Sequence, residues 1–391
     1  MDKKVIFKAF WDELMISIKL TGLGGAKEFI WYNIKFGFRR LDAIQNNSYS
    51  EAMRFKDPFM LNLFAKYAVI SMNLLPGRVR SFYKSERCML PHLCKTYAKD
   101  KAYVDDSKVS ITGRIFEKQI YEQAGDKVIF NYTFKNGWNV PSFYVTKSNK
   151  LYTIVVRGTV SSFDIFADLD FTQELHGEYY FHRSFFNLGN NLFKVLQENN
   201  LLSKHSTYVV AGHSLGGSVS VVLSHLIYQN VTKQIYCYTY GMSCVGDINF
   251  SLHAKKFCTC VVNGYDMVPT ISYHAARVQC VRLLILDFQR TGRQKQVYIE
   301  EQQSGSLKQC IKECFHKHKN DTCIPTRILS EELTYEKDLF IAGNIIHFLK
   351  GAFYSVSVHD ISEGIFTIPT VIDHTGYYLV AEQAQSSVEE V

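Results

Sequence analysis

The stretch Tyr208-Val209-Val210-Ala211-Gly212-His213-Ser214-Leu215-Gly216-Gly217 decides the fold. Its first four residues are β-rich, and Ser218–Tyr228 continue it as a helical run. Between them stands a G-x-S-x-G pentapeptide. A serine in a sharp strand-to-helix turn needs small flanking residues, which Gly212 and Gly216 supply. The serine then lies at a helix N-terminus, whose unpaired N–H groups favour an oxyanion. Ser214 is therefore the candidate nucleophile.

Outward from this turn, strands and helices alternate. Val128–Phe134, Val140–Val145, Tyr152–Val156, Ile235–Tyr240, Cys258–Val262 and Cys280–Leu286 read as strands, and Phe185–Asn199 and Leu215–Tyr228 as helices. Alternation of this kind predicts an α/β fold with a mostly parallel central sheet. It starts near residue 126 and runs to about 382. Residues 1–125 are expected to form a mainly helical N-terminal region, packed on or flanking that domain. Residues 289–322 are polar and rich in Gln and Lys, an insertion, and 383–391 a frayed tail.

A serine nucleophile at such an elbow needs an orienting acid and a base, in the chain order Ser, Asp/Glu, His. Cys258–Val262 followed by Asn263-Gly264-Tyr265-Asp266 is a strand, a glycine turn and an acid, so Asp266 is the candidate, with Asp247 behind it. The base comes from His274, His316, His318, His347, His359 or His374. His316 and His318 fall in the polar insertion, and His347 in an apolar run that reads as a helix. His359 and His374 both lie in loop-like settings, each beside an aspartate, and position alone does not separate them.

Composition bounds the rest. Of the 391 residues 47% are hydrophobic and 21% charged, which suits a globular core. The net charge is +7, and residues 1–40 hold eight Lys/Arg against four Asp/Glu. Within them Ile6, Phe7, Phe10, Trp11, Leu14 and Ile18 fall near helical spacing among Lys3, Lys4, Lys8 and Lys19, a helix able to dock on the domain or to lie on a bilayer. Residues 277–319 hold a further basic excess, nine against four, read as a solvated face. No uninterrupted apolar run reaches membrane-spanning length and no secretory signal is read, so a cytoplasmic location is expected, with the ten cysteines as thiols. Asn131-Tyr132-Thr133 and Asn230-Val231-Thr232 match glycosylation acceptors, a triplet common by chance. Cys310, Cys314, His316, His318 and Cys323 are zinc-type ligands, but their spacing fits no standard site, so no metal is expected. No phosphate-cradling glycine loop is present, so no cofactor is expected either, and no nucleic acid partner.

A family resemblance joins these residues. Ile154-Val155-Val156-Arg157-Gly158-Thr159, then Asp164 and Ala167-Asp168-Leu169, resembles the R-G-T strand and D-x-x-x-D-L segment of class 3 lipases. His182-Arg183-Ser184-Phe185 resembles that family's H-x-G-F element, with Ser184 where glycine is usual. The elbow, Val262–Pro269 and Ile372-Asp373-His374-Thr375-Gly376-Tyr377-Tyr378, similar to a terminal D-H-x-x-Y, complete the series over about residues 126–380. Cys237–Phe288 and Asp373-His374 look closest to diacylglycerol lipases.

The resemblance implies an α/β-hydrolase fold and a lipase acting on an acylglycerol, with Ser214 attacking, His374 selected as base and Asp266 orienting it. It implies an oxyanion hole at the N–H groups of Thr159 and Leu215. A lid after the R-G-T strand would lie in 161–169 and include Ser161, Ser162, Phe163, Asp164 and Ile165. Arg157 is expected to brace that loop. The implied partner is a lipid ester at a membrane or droplet surface, reached by peripheral association. Competing readings are a phospholipase or acyltransferase with the same residues, and an inactive hydrolase-fold scaffold.

Overall fold

The computed structural model describes residues 49–73, 127–132, 140–158, 172–270, 339–361, 373–374 and 376–389. After a 3-10 turn at Glu51–Met53, helix α1 spans Pro58–Asn73. Asp57 caps it, Oδ1 accepting the Met60 N–H at 3.1 Å, and Pro58 takes the first helical position, where a missing N–H costs nothing. Strands β1 (Lys127–Tyr132), β2 (Phe143–Ser148) and β3 (Leu151–Val156) follow. A hairpin of β4 (Gln173–His176) and β5 (Tyr179–His182) leads into α2 (Arg183–Glu198). Then come β6 (Thr207–His213), α3 (Leu215–Asn230), β7 (Ile235–Tyr240), α4 (Ile248–Ala254) and β8 (Cys258–Asn263). β9 (Asn344–Leu349), β10 (Ala352–Val356) and α5 (Tyr377–Glu389) close the order.

Among the described residues, one sheet of eight strands has the order β1-β2-β3-β6-β7-β8-β9-β10. β3, β6, β7, β8 and β9 run parallel, and antiparallel pairs finish both sides. The parallel strands are buried on both faces, with successive residues entering opposite cores. In β6, Tyr208 and Val210 face the core that holds α2 and α3, while Val209 and Ala211 face α1 and α5. The same alternation runs through Ile154, Val155 and Val156 of β3 and through Cys260, Val261 and Val262 of β8.

The second face is made by two helices distant in sequence. α1 buries Leu61, Phe64, Ala65, Tyr67 and Ala68, and α5 buries Tyr377, Val380, Ala381 and Ala384 at spacings of three and four. Tyr67 stacks on Tyr238 with ring centroids 5.0 Å apart, and the Tyr240 hydroxyl donates to the Phe64 carbonyl at 2.8 Å. The chain before α1 pairs with the outer strand: Phe55 N–H donates to Phe353 O at 2.8 Å, and Arg54 bridges to Tyr354. That contact covers part of an edge.

Several expectations change here. Residues 383–391, expected to fray, carry α5 on to Glu389, because Ala384 and Val388 extend its apolar stripe against α1. His347 lies in strand β9 and not in a helix: Ile345 and Ile346 enter opposite cores, and a strand buried on both faces shows no alternation. The β4–β5 hairpin was not anticipated. Of the N-terminal region expected to be helical, 49–73 carry the 3-10 turn and α1, and the candidate surface helix at 4–20 lies outside the described residues. So do Cys280–Leu286 and the insertion 289–322. Cys237, Cys258 and Cys260 are buried thiols.

Phe64 is wholly buried at the centre of the α1 face, stacked on Phe55 at 5.7 Å. Phe64→Ala is expected to cost about 3–5 kcal/mol, measured by urea unfolding. A loss below about 1 kcal/mol would mean that α1 does not pack as described.

Candidate functional site

The site grows from the elbow. Ser214 has φ 57° and ψ −132°, a conformation that L-residues avoid at a cost of about 1–3 kcal/mol. Its surroundings hold it there. Its N–H donates to Tyr240 O of the neighbouring strand at 2.9 Å, and its carbonyl accepts from Gly217 and Ser218 at 2.8 and 3.2 Å. A Cβ on Gly212 would overlap the Gly216 carbonyl, and one on Gly216 would overlap the Val156 carbonyl at the end of β3. These two glycines let α3 start against the ends of two strands.

Asp266 stands where β8 ends. Its N–H returns to Asn263 O at 2.9 Å, closing the Asn263-Gly264-Tyr265-Asp266 turn, and its side chain is fully buried. Three donors meet its carboxylate: His374 Nδ1–H at 2.9 and 3.0 Å, the Tyr377 hydroxyl at 2.8 Å and the Val268 N–H at 2.9 Å. The other nitrogen of His374, Nε2, lies 3.0 Å from Ser214 Oγ. A carboxylate only accepts, so Nδ1 carries the proton and Nε2 is free to accept the serine hydroxyl. The three residues expected as nucleophile, acid and base thus form one hydrogen-bonded chain.

A further ring of contacts fixes the loop that carries His374. Asp373 Oδ2 accepts the Tyr265 N–H at 2.7 Å, and its main-chain carbonyl accepts Asn263 Nδ2 at 2.8 Å. Burial raises the Asp373 carboxyl to about 6, and the negative charge of Asp266 adds to the rise. His347 Nε2–H donates to the Gly264 carbonyl at 2.6 Å while Nδ1 accepts from the Tyr49 hydroxyl at 2.7 Å. Burial holds that ring below its ordinary range. The segment before α1 therefore reaches the acid turn through one histidine.

Other candidates have structural positions. Both oxygens of Asp247 are taken by backbone N–H groups, of Phe250 at 2.7 Å as the cap of α4 and of Tyr180 at 2.8 Å. His359 lies in a 3-10 turn with its ring 6.0 Å from that of Phe340. Leu215 opens α3, so its N–H, within the first turn, has no intrahelical carbonyl to bond. Thr159 and the candidate lid residues Ser161, Ser162, Phe163, Asp164 and Ile165 lie outside the described residues. So do His274, His316, His318 and the zinc-type cluster. Among the described residues no three His, Cys, Asp or Glu side chains are grouped to hold a metal.

Sequence reasoning missed the constraint at Gly241 and the bond from the Asn263 side chain to the Asp373 carbonyl. Gly241 has φ +54°, and a Cβ there would overlap the Asp266 carboxylate and crowd Tyr377 at about 2.8 Å. No local pattern marks Gly241, because its constraint comes from β8 and α5. Tyr377 carried a signal in the D-H-x-x-Y spacing, which sets a tyrosine one helical turn beyond the histidine.

A mostly parallel sheet flanked on both faces by helices, with a strained serine between its β6 strand and the following helix, defines an α/β-hydrolase. Within that class, residues 153–275 match the family model for Lipase (class 3), and over that stretch the resemblance read from the motifs is shown. Among known proteins, the chain is 33% identical over 117 residues to Toxin TseL of Vibrio cholerae serotype O1, covering 27% of this chain and 18% of that protein. It is 29% identical over 174 residues to diacylglycerol lipase-alpha of Homo sapiens, covering 39% of this chain and 16% of that one. The matched stretch is thus under a fifth of either relative's length. Among solved structures, the native lipase propeptide complex of Rhizomucor miehei aligns over 84% of this chain and 87% of its own, with a TM-score of 0.43 and 15% identity. The lipase of Rhizopus microsporus var. chinensis aligns over 57% and 73%, with a TM-score of 0.40 and 18% identity.

The raised Asp373 carboxyl has a definite consequence. Its folded value, about 6, lies above the ordinary carboxylate value, so folding disfavours the ionised form. That penalty is full above pH 6 and is relieved as pH falls from about 6 towards 4. Asp373→Asn keeps an acceptor for Tyr265 and removes the charge. It is expected to raise stability at pH 7.5 by on the order of 1–2 kcal/mol and to flatten the dependence between pH 6 and 4. Denaturant titrations at pH 4.5 and 7.5 check this, and equal or lower stability of the variant at pH 7.5 would contradict it.

Proposed function

We propose that this protein is a serine-dependent lipase that hydrolyses the carboxylic esters of acylglycerols, diacylglycerol or triacylglycerol, through an acyl-enzyme intermediate. The observation that carries the proposal is His374 between its two partners, Nε2 3.0 Å from Ser214 Oγ and Nδ1 2.9 Å from Asp266 Oδ1. Ser214 attacks the ester carbonyl as its proton passes to His374. Asp266 holds the imidazole in the Nδ1–H form and stabilises the imidazolium. The oxyanion is met by the N–H of Leu215, with Thr159 as the expected second donor, each worth on the order of a hundredfold in rate. The imidazolium then protonates the leaving glyceride oxygen. Water, activated by the same histidine, releases the fatty acid and restores the serine.

The choice of acylglycerol rests on the family match and on the similarity to diacylglycerol lipase-alpha. A phospholipase or acyltransferase would use the same three side chains, and a screen of lipid esters separates these substrates. An inactive scaffold would have no use for a strained serine hydrogen-bonded to a histidine. Such a lipase meets its substrate at an interface. Among the described residues no helix is long and apolar enough to cross a membrane. Peripheral attachment through the stretch at 4–20, where aromatic and aliphatic side chains stand beside lysines, is part of the proposal.

Ser214→Ala is expected to lower hydrolysis of a short-chain ester by at least on the order of a thousandfold with folding intact, and to abolish labelling by a fluorophosphonate probe. Retention of more than a few per cent of the rate would remove Ser214 as nucleophile. His374→Ala is expected to be far slower than His359→Ala, and the reverse order would reassign the base. Deleting residues 1–22 is expected to reduce sedimentation with anionic vesicles, as added salt does for the full chain. Undiminished sedimentation of the truncated chain would end the membrane assignment.

A further inference from the structure

The second position of the pentapeptide is a histidine that the reaction does not consume. His213 ends β6 and is 3% exposed. Its ring lies against that of His374, centroids 4.6 Å apart and planes at 32°, and meets the edge of Tyr377 at 5.4 Å. Nε2 is 2.8 Å from the main-chain carbonyl of His374. A carbonyl oxygen only accepts, so Nε2 carries the hydrogen and Nδ1 is a bare lone pair. Among the described residues that Nδ1 is buried without a partner, on the side of Gly158, two residues beyond the end of β3.

His374 is thus held from three sides. Asp266 fixes its ring, Asp373 ties its loop to the acid turn, and His213 grips its backbone from beneath. Charge matters as much as geometry. When Ser214 gives up its proton, His374 becomes a cation against the His213 ring. Burial drives His213 down to about 3, and the adjoining His374 presses the same way against a weaker pull from the carbonyl bond. Among the described residues, the groups that face His213 are the His374 ring, the Tyr377 ring of α5 and the Gly158 backbone, with Asp266 beyond His374. The carboxylate lies on the far ring nitrogen of His374 and bonds that residue, so the cation forms on His374.

We propose that His213 is a positioning residue for the base: its Nε2–H holds the His374 carbonyl, and its uncharged ring floors the His374 imidazole, keeping Nε2 of His374 on Ser214 Oγ with no second positive charge beside it. The inference rests on the reading of Ser214 and His374 as nucleophile and base.

Nitrogen-15 NMR of the wild-type imidazoles between pH 8 and 5 tests it directly. His213 is expected to remain the neutral Nε2–H tautomer throughout, and titration above pH 5 or an Nδ1–H signature overturns the proposal. Kinetics with p-nitrophenyl butyrate supply the second arm. His213→Phe keeps the packing and loses the donor. It is expected to lower kcat on the order of tenfold to a hundredfold, the usual cost of a misplaced reacting group, with KM within about twofold. His213→Gln, which can donate to the same carbonyl, is expected to recover most of the loss. A folded His213→Phe variant with the wild-type kcat, or a Gln variant as slow as the Phe variant, sinks the proposal, and if the Phe variant does not fold the wild-type spectra decide. Ser214→Ala in the same assay separates the two failures. Full activity there would overturn the enzyme reading, whereas a dead Ser214→Ala beside an unimpaired His213→Phe would overturn only the role of His213.

Discussion

The whole arrangement depends on one close approach: α3 begins where the ends of β3 and β6 leave no room for a Cβ at Gly212 or Gly216. That crowding holds Ser214 at a positive φ, presents its hydroxyl beyond the sheet, and aims the first N–H groups of a helix at the same point. A looser turn would relieve the backbone and lose both effects. The strain persists because the surrounding sheet is buried on both faces and does not yield.

The two faces serve different ends. The α2–α3 face surrounds the helix that starts at Ser214. The α1–α5 face positions what Ser214 needs. Tyr377, the first residue of α5, donates to Asp266, while Tyr240 donates to the carbonyl of Phe64 in α1. Tyr49 reaches Gly264 of the acid turn through His347. The described part of the N-terminal region is therefore built into the hydrolase domain.

The legible parts of the sequence were those whose constraints are local. The elbow needed only a β-rich run, two glycines and a helical run, and Asp266 needed only a strand and a glycine turn. The base was different: His359 and His374 look alike among their neighbours, and residues alone left the choice open until a family motif selected His374. β9 escaped notice because burial of Ile345 and Ile346 on opposite faces erases strand periodicity. The last part of α5, from Gln383, was read as a tail because Gln383, Gln385, Ser386 and Ser387 mask the apolar stripe that continues through Ala384. The constraint on Gly241 and the contact of His213 with the His374 carbonyl come from chain segments brought together only by folding.

Ser214 and His374 are 160 positions apart, Asp266 and His374 108, and Tyr49 and His347 298. Closing such separations costs entropy that only the finished sheet returns. The local β6–α3–β7 unit can form from contacts among near neighbours, but His374, the proposed base, has no position until β9 has joined β8 and α5 has settled on α1. A folding intermediate that lacked the α1–α5 layer would carry its serine on an intact elbow with nothing to accept the proton. Recovery of activity during refolding should consequently lag behind recovery of secondary structure.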